Sequence, residues 1–325
     1  MYKTYFNLAR NPFELTPDPV CFVPTRWHNE ALAALYYGIR RHKGFVVVTG
    51  EVGTGKTLLL RCLLGLLKDS EDLAYAYLFN ARLSPTEFLQ YTLTDFGLHA
   101  SGKSKYELLL DLGQFLASRN SKKMTTVLIV DEAHHLSAEL LEEIRLLSNL
   151  ETTNDKLLQI VLVGQPELDD KLDSFELRQL KQRIAVRTRL LPLGPRETRV
   201  YIERRLQIAG ADPNSTPIFP EQAIQAVYRY SRGLPRLINS ICENALIAAY
   251  ARQSPYVTPD VIEYVVEELR LNIPYPPAAD NIKRHSDADV QRAIDTLLDL
   301  YTSRRGPFAN DLSLGIPPRV EERTS

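Results

Sequence analysis

The chain has 325 residues, a length that favours one large domain or two modest ones, because a domain has about 150 residues. Hydrophobic residues make up 44% of the sequence and charged residues 24%, proportions that exclude a collagen-like or wholly disordered chain. The formal net charge of −1 argues against a generally basic nucleic-acid coat. The three cysteines form no CxxC pair, so we expect neither a disulfide framework nor a structural zinc site. No apolar stretch approaches the roughly 18 residues of a membrane span, and we predict a cytoplasmic protein without a transmembrane segment of its own.

The first 192 residues alternate between helical patterns and short apolar runs. A helix is predicted over residues 26–42, where Ala31, Leu35 and Ile39 lie on one apolar stripe. The runs typical of strands buried on both faces of a parallel sheet are Phe45–Thr49, Leu73–Phe79, Thr126–Val130, Ile160–Val163 and Ala185–Leu191. The helical patterns between them are 56–68, 86–96, 105–119, 138–150 and 175–182. This alternation predicts right-handed crossovers and an α/β fold with a five-stranded parallel sheet.

Only helical patterns follow Pro192. The predicted helices cover residues 195–209, 221–231, 236–252 and 259–270, and three of them begin with proline at or near the first turn. They predict a small helical domain. From Asn272 the sequence is rich in proline and ends in a predicted disordered tail, apart from an amphipathic segment at Val290–Tyr301 that packs on its own chain or docks a partner.

Residues 50–57 fit the phosphate-loop pattern GxxxxGK[ST] and stand between a predicted strand and a predicted helix. Glycines in such a loop let backbone N–H groups surround a phosphate, and the helix N-terminus adds to the attraction. Lys56 supplies a charge for the β and γ phosphates, and the Thr57 hydroxyl is a predicted Mg²⁺ ligand. The residues that we predict to bind the nucleotide are Gly50, Glu51, Val52, Gly53, Thr54, Gly55, Lys56, Thr57 and Leu58.

Two acids, Asp131 and Glu132, follow the apolar run that ends at Val130. The carboxyl edge of a parallel sheet is where ligands of open α/β folds bind, so both carboxylates are expected beside the phosphate loop. Asp131 is the second predicted Mg²⁺ ligand, and Glu132 is the predicted base that orients and deprotonates an attacking water. The sequence therefore predicts a nucleoside-triphosphate hydrolase. His134 and His135, which extend the string to DEAHH, are interpreted as a capping and surface pair.

These motifs resemble those of AAA+ ATPases, and further strings resemble the general secretion pathway protein A (ExeA/GspA) family over roughly residues 5–270. The strings that carry the second resemblance are Asn11-Pro12-Phe13, Thr16-Pro17-Asp18, Glu30-Ala31-Leu32, Gly164-Gln165-Pro166-Glu167-Leu168, Leu180-Lys181-Gln182-Arg183-Ile184 and Ser231-Arg232-Gly233-Leu234-Pro235-Arg236. The resemblance implies an N-terminal segment with the first helix (1–43), an AAA+ nucleotide-binding domain (44–192) and a helical lid (193–271). A Pro-rich tail with one amphipathic helix (272–325) follows the lid.

The resemblance also assigns two polar residues at strand ends. Gln165 follows the fourth strand and is expected to contact the attacking water or the γ-phosphate. Asn80 follows the second strand and is expected to hold Glu132 aside until a partner binds. The alternative for both residues is that they satisfy backbone groups at the ends of their strands.

Three arginines complete the assignment. Arg236 begins a lid helix, from which its guanidinium is expected to reach the γ-phosphate of its own subunit. Arg183, just before the fifth strand, is the expected arginine finger for a neighbouring subunit, with Arg178 as its rival. A solvated basic face is the alternative for Arg183, which stands among other basic residues. Trp27 and His28 lie where this class closes over adenine, although packing on the first helix is the simpler interpretation.

The resulting hypothesis is an ATPase that uses ATP and Mg²⁺ and acts as an oligomeric motor or switch. A ring or filament of this chain would serve assembly of a secretion, envelope or exopolysaccharide export system and would meet the inner membrane through a membrane-located partner. One alternative is a DNA-associated ATPase of the transposition-regulator type, because local basic runs such as Arg40-Arg41-His42-Lys43 permit DNA contact. The other is a nucleotide-gated scaffold with negligible turnover.

Overall fold

The computed structural model describes residues 1–68, 72–79, 83–153 and 155–271, and all of them lie within one compact unit. Asn80 and the predicted amphipathic segment at Val290–Tyr301 lie outside the described residues. Among the described residues, no helix is long and apolar enough to cross a bilayer.

A five-stranded sheet forms the centre of the structure, and every neighbouring pair of strands is parallel. The strands are β1 (Phe45–Gly50), β2 (Leu73–Leu78), β3 (Thr125–Val130), β4 (Gln159–Gly164) and β5 (Ile184–Leu190). Their order across the sheet is β2-β3-β4-β1-β5, so β1 and β3 lie on either side of β4. Every residue of β1, β3 and β4 is buried, as expected for strands covered on both faces. The predicted α/β fold with a five-stranded parallel sheet is confirmed.

Helices cover both faces of the sheet and form a separate bundle after β5. The helices are α1 (Tyr2–Tyr5), α2 (Arg26–Arg40), α3 (Lys56–Lys68), α4 (Pro85–Asp95), α5 (Lys105–Ser121), α6 (Ala138–Leu147), α7 (Glu167–Leu172), α8 (Arg178–Lys181), α9 (Pro195–Ile208), α10 (Glu221–Ser231), α11 (Pro235–Ala251) and α12 (Pro259–Glu268). Because side chains alternate along a strand, Phe45 and Val47 of β1 pack with α4, α5 and α6, whereas Val46 and Val48 pack with α2 and α3.

Two helices differ from the predicted pattern. The helix predicted over 175–182 is the single turn α8, and the preceding six-residue helix α7 was not predicted. Each is too short to show an apolar periodicity, and α7 buries only Leu168 and Leu172. An exposed segment around Phe175 therefore stands where continuous helix was expected.

The N-terminal segment packs against the helical bundle that follows β5. Phe6, Leu8 and Phe13 belong to the same hydrophobic cluster as helices α9 to α12, and Phe13 is fully buried. The backbone N–H of Ala9 donates to the carbonyl of Ala209 at 2.7 Å. Farther along, the carbonyl of Pro17 accepts a hydrogen bond from Arg61 of α3. The segment thus contacts both the bundle and the helix that begins at the phosphate loop.

Candidate active site

The phosphate loop, residues 51–55, connects the carboxyl end of β1 to the first turn of α3. Gly53 and Gly55 have φ values of +83° and +97°, in the left-handed region that favours glycine. A Cβ on Gly53 would lie 2.9 Å from Cβ of Arg236, and one on Gly55 would lie 3.0 Å from Nε2 of His28. The loop therefore requires glycine at both positions, for backbone conformation and for packing.

Lys56, the first residue of α3, is buried and turns its side chain back over the loop. Its ammonium donates to the carbonyls of Gly50 at 2.8 Å and Glu51 at 3.0 Å. Burial lowers the pKa of Lys56, and the nearby carboxylates of Glu132 and Asp131 oppose that effect. The ammonium thus lies over the backbone groups of the phosphate loop. This arrangement fits the binding of a phosphate, whose oxygens would replace the two carbonyls as hydrogen-bond acceptors.

Asp131, directly after β3, is buried and lies beside Thr57. Its Oδ2 accepts from the hydroxyl of Tyr77 at 2.8 Å and from that of Thr57 at 3.4 Å, and its Oδ1 accepts from the backbone N–H of Glu132 at 2.9 Å. Burial and the carboxylate raise the pKa of Tyr77, so its hydroxyl remains a donor. The two predicted Mg²⁺ ligands are thus neighbouring oxygens, which is the donor chemistry that Mg²⁺ requires. Tyr77, on β2, was not predicted, because an aromatic residue in a strand is usually a packing residue.

Glu132 has a left-handed backbone, with φ of +52°, which is uncommon for a residue other than glycine. Its Oε2 atom is buried and forms no hydrogen bond with any of the described residues. The ring of His134 lies beside this carboxylate, with Nδ1 at 3.4 Å from Oε2. The predicted base therefore lies at the carboxyl edge of β3 and faces a histidine.

His134 is a residue for which the sequence interpretation was wrong. It is 8% exposed and is not a surface residue, whereas His135 is exposed. The 3-10 turn Ala133–His135 folds towards β4, where Nε2 of His134 lies 2.9 Å from Nε2 of Gln165. Gly164 allows this approach, because a Cβ there would lie 3.1 Å from the backbone nitrogen of His134. The structure thus brings Gln165 to the same edge of the sheet as Glu132, with His134 between them.

Arg236 also reaches this edge. Its backbone N–H donates to the carbonyl of Gly53 at 3.2 Å, and its exposed side chain begins against that glycine. Gly233, three residues earlier, has φ of +74°, and a Cβ there would lie 1.8 Å from the carbonyl oxygen of Leu193. Helix α11 can therefore begin at the phosphate loop only because the chain turns at a glycine.

Comparisons with known proteins agree with this geometry. Residues 39–172 match the family described as an AAA domain. Over 256 residues, or 78% of the chain, the sequence is 46% identical to general secretion pathway protein A of Aeromonas hydrophila. The chain belongs to the general secretion pathway protein A family of AAA+ proteins. The match covers 46% of that relative, so the chain spans about half of the relative's length.

Solved structures with the same fold are more distant from this AAA+ chain. The ORC2 protein of Aeropyrum pernix, in ADPNP-ADP complexes, has a TM-score of 0.57 at 17% identity, over 80% of this chain and 71% of its own. Cdc6p of Pyrobaculum aerophilum has a TM-score of 0.60 at 19% identity, over 79% of this chain and 70% of its own. At such identities the likeness concerns the fold alone, and it agrees with the predicted AAA+ fold.

Two arginines of the AAA+ chain do not join the cluster at the phosphate loop. Arg183 precedes β5, whose first residue pairs with Phe45 at the start of β1, so it lies at the opposite edge of the sheet, roughly 20 Å along the strand from Gly50. Its Nη1 donates to Oγ of Ser148 at 2.5 Å. Arg178 is exposed and stacks on Phe175, with 4.1 Å between the guanidinium carbon and the ring centroid. Neither guanidinium lies beside Lys56 of its own subunit.

His28 supports the phosphate loop from α2. It is 5% exposed, with Nε2 at 3.0 Å from the carbonyl of Thr54 and Nδ1 at 2.7 Å from the hydroxyl of Thr25. Burial lowers its pKa, and both contacts fit a neutral ring that carries its proton on Nε2. Trp27, the neighbouring residue, is partly buried against the core formed by α2, α3 and the sheet. The packing interpretation of both residues agrees with these contacts.

Proposed function

We propose that this AAA+ chain binds ATP with Mg²⁺ at the phosphate loop and hydrolyses it. The observation that carries the proposal is the convergence of Lys56, Thr57, Asp131 and Glu132, with the two predicted Mg²⁺ ligands 3.4 Å apart. In support, ORC2 of Aeropyrum pernix, which has the same fold, was solved in ADPNP-ADP complexes.

Each residue of the site has one task in this proposal. The N–H groups of the loop bind the phosphates, and the Lys56 ammonium exchanges its two carbonyl acceptors for phosphate oxygens. Thr57 and Asp131 would hold Mg²⁺, which neutralises charge on the phosphates when it is bound. Glu132 accepts the proton of the attacking water, and Gln165 orients that water or the γ-phosphate.

The test is a turnover assay of the chain with Mg·ATP. We expect Lys56→Ala to lose most nucleotide affinity, and Glu132→Gln to keep affinity while its turnover falls by about 10²–10⁴-fold. Lys68→Ala and Glu139→Gln are matched controls, because both residues are exposed and lie away from the loop. Equal turnover of the unsubstituted chain and Glu132→Gln would contradict the proposal and favour the nucleotide-gated scaffold.

We infer further that the chain works as an oligomer in which Arg183 completes the site of a neighbouring subunit. Its position at the sheet edge opposite the phosphate loop supports this, because it cannot serve the nucleotide of its own subunit. A mixture of Arg183→Ala and Glu132→Gln subunits should recover part of the turnover that either loses alone, since an arginine finger contributes about 10³–10⁵ in rate. In a matched mixture, Arg178→Ala takes the place of Arg183→Ala and tests the rival arginine finger. A mixture that stays inactive, with both variants folded, would contradict the shared site.

The pathway is proposed from the relative alone. As a general secretion pathway protein A family member, the chain would couple hydrolysis to assembly of a secretion or envelope export system through a membrane-located partner. In the presence of Mg·ATP, the Glu132→Gln variant keeps nucleotide bound and should therefore retain the partner. The Lys56→Ala variant should lose the partner. The DNA-associated alternative predicts duplex binding that weakens steeply as salt rises.

A further inference from the structure

We propose that His134 is a positioning residue that couples Gln165 to Glu132. This inference rests on the proposed ATPase activity and adds a residue to it. The ring of His134 lies between the two side chains, with Nε2 at 2.9 Å from Nε2 of Gln165 and Nδ1 at 3.4 Å from Oε2 of Glu132. The link therefore joins the residue after β4 to the predicted base after β3.

The ring of His134 is held from the side of Gln165. Nδ1 accepts from the backbone N–H of Gln165 at 3.4 Å, and Nε2 lies 2.9 Å from the side-chain amide nitrogen of the same residue. Oε2 of Glu132 is buried beside this ring and forms no hydrogen bond within the part of the chain that the structure describes. Gln165 thus fixes the ring, and the ring packs against the carboxylate. Burial lowers the pKa of His134, which agrees with a neutral ring.

The turn that carries His134 is held in place from outside. The ammonium of Lys171 donates to the carbonyls of His134 and Leu136, the latter at 2.9 Å. Gly164 leaves room for the turn at the end of β4, and the left-handed backbone of Glu132 begins it. Because the backbone is fixed, a change at Gln165 reaches Glu132 through the ring and not through movement of the turn.

The consequence is that the two polar residues are positioned together. The ring of His134 packs against the carboxylate of Glu132, and Gln165 holds the ring. Loss of either the ring or the Gln165 side chain therefore leaves the Glu132 carboxylate less well oriented towards an attacking water. Gln165 thus acts on the reaction directly, through the substrate, and also through His134 on Glu132.

A double-mutant cycle tests the coupling. We expect His134→Ala to lower kcat about tenfold, with the Kd for Mg·ATPγS within about threefold of the unsubstituted chain. Gln165→Ala should lower kcat by itself, but by a smaller factor when His134 is already alanine, because only the direct contact of Gln165 with the substrate is then lost. His99→Ala, at an exposed position, is the control, and we expect kcat within about twofold. Independent effects that multiply in the double variant, or no effect of His134→Ala, would overturn the inference.

A second variant, His134→Asn, allows the test if His134→Ala does not fold. His134→Asn keeps a polar planar group near the position of Nδ1 but has no atom in the place of Nε2. We expect it to fold and to make kcat less sensitive to Gln165→Ala than in the unsubstituted chain. Full sensitivity to Gln165 in His134→Asn would contradict a link through Nε2.

A readout that does not depend on activity uses ¹⁵N-labelled histidine, of which the chain has six. His28 contacts the phosphate loop and reports nucleotide binding, whereas His134 reports the coupling. With Mg·AMP-PNP we expect the ring nitrogens of both to shift in the unsubstituted chain, and only those of His28 to shift in Gln165→Ala. A shift of His28 alone in the unsubstituted chain would overturn the coupling and leave the proposed function intact. No shift at either ring, together with no turnover, would contradict the proposed function itself.

Discussion

The backbone N–H of Arg236 donates to the carbonyl of Gly53, so the helix that begins the second half of the bundle starts on the phosphate loop. This contact joins two segments that are 183 residues apart in the sequence, and Gly53 has no side chain that would separate them. A nucleotide bound by the loop would therefore lie against the first turn of α11. The helical bundle and the phosphate loop are therefore directly joined at this point.

Gly53→Ala should weaken the contact between the phosphate loop and α11. A Cβ at position 53 would lie 2.9 Å from Cβ of Arg236, and alanine in a left-handed conformation costs about 1–2 kcal/mol. We expect a lower free energy of unfolding in urea and a lower affinity for Mg·ATP. Gly65→Ala is the control, because no atom of the described residues lies within 4 Å of a Cβ there, and alanine stabilises a helix by about 1 kcal/mol relative to glycine. Equal stabilities of the two variants would contradict the packing argument.

Tyr77→Phe tests the orientation of Asp131. The substitution keeps the ring on β2 but removes the hydroxyl that donates to Oδ2 at 2.8 Å. Because groups that orient a metal ligand typically affect metal affinity by about 10–100-fold, nucleotide binding should need roughly tenfold more Mg²⁺. Nucleotide binding measured in EDTA should be unchanged. Tyr75→Phe, on the same face of the strand, is the control, and an unchanged Mg²⁺ requirement in Tyr77→Phe would contradict the role.

The sequence predicted those parts of the site whose residues are contiguous and follow a strand. Residues 50–57 and the pair Asp131-Glu132 could be recognised because the strand-to-helix context is local. His134 could not, because its burial depends on the approach of Gly164 and on hydrogen bonds from Lys171, more than 30 residues away in the chain. The helix α7 was missed for a different reason, since six residues carry too little apolar periodicity.

Arg205 explains why the N-terminal segment follows a particular path, which no local pattern indicates. The guanidinium is buried in α9 and donates to the backbone carbonyls of Pro12 at 2.5 Å, Cys21 at 3.2 Å and Glu14 at 3.3 Å. Arg205→Ala should lower the free energy of unfolding by about 3 kcal/mol or more, because buried carbonyls would lose charged donors.

The control for Arg205→Ala is Arg204→Ala, since Arg204 is exposed on the same helix, and its effect should stay within about 0.5 kcal/mol. Urea denaturation measures both variants. Hydrogen exchange should also become faster in residues 9–22 of Arg205→Ala. Unchanged exchange in that segment would show that the arginine does not hold it.

The stability of the chain should fall in acid because of His28. Burial lowers the pKa of this residue below the ordinary value of 6.5, so the folded protein binds the proton less readily than the unfolded chain. This destabilising effect is absent above about pH 6.5. As the pH falls from 6.5 towards the folded-state pKa, the free energy of unfolding decreases by at most about 1.4 kcal/mol per pH unit for one proton. His134 contributes in the same direction, since burial also lowers its pKa.

His28→Gln separates the two histidines. Its free energy of unfolding should be lower at pH 7.5, where the contact with the Thr54 carbonyl is weakened, but should decline less steeply between pH 6.5 and 5 than that of the unsubstituted chain. His99→Gln, at an exposed position, should keep the steeper decline. Urea denaturation at each pH measures the slopes. Parallel slopes for His28→Gln and the unsubstituted chain would mean that His28 is protonated equally in the folded and unfolded states, contrary to its burial under the phosphate loop.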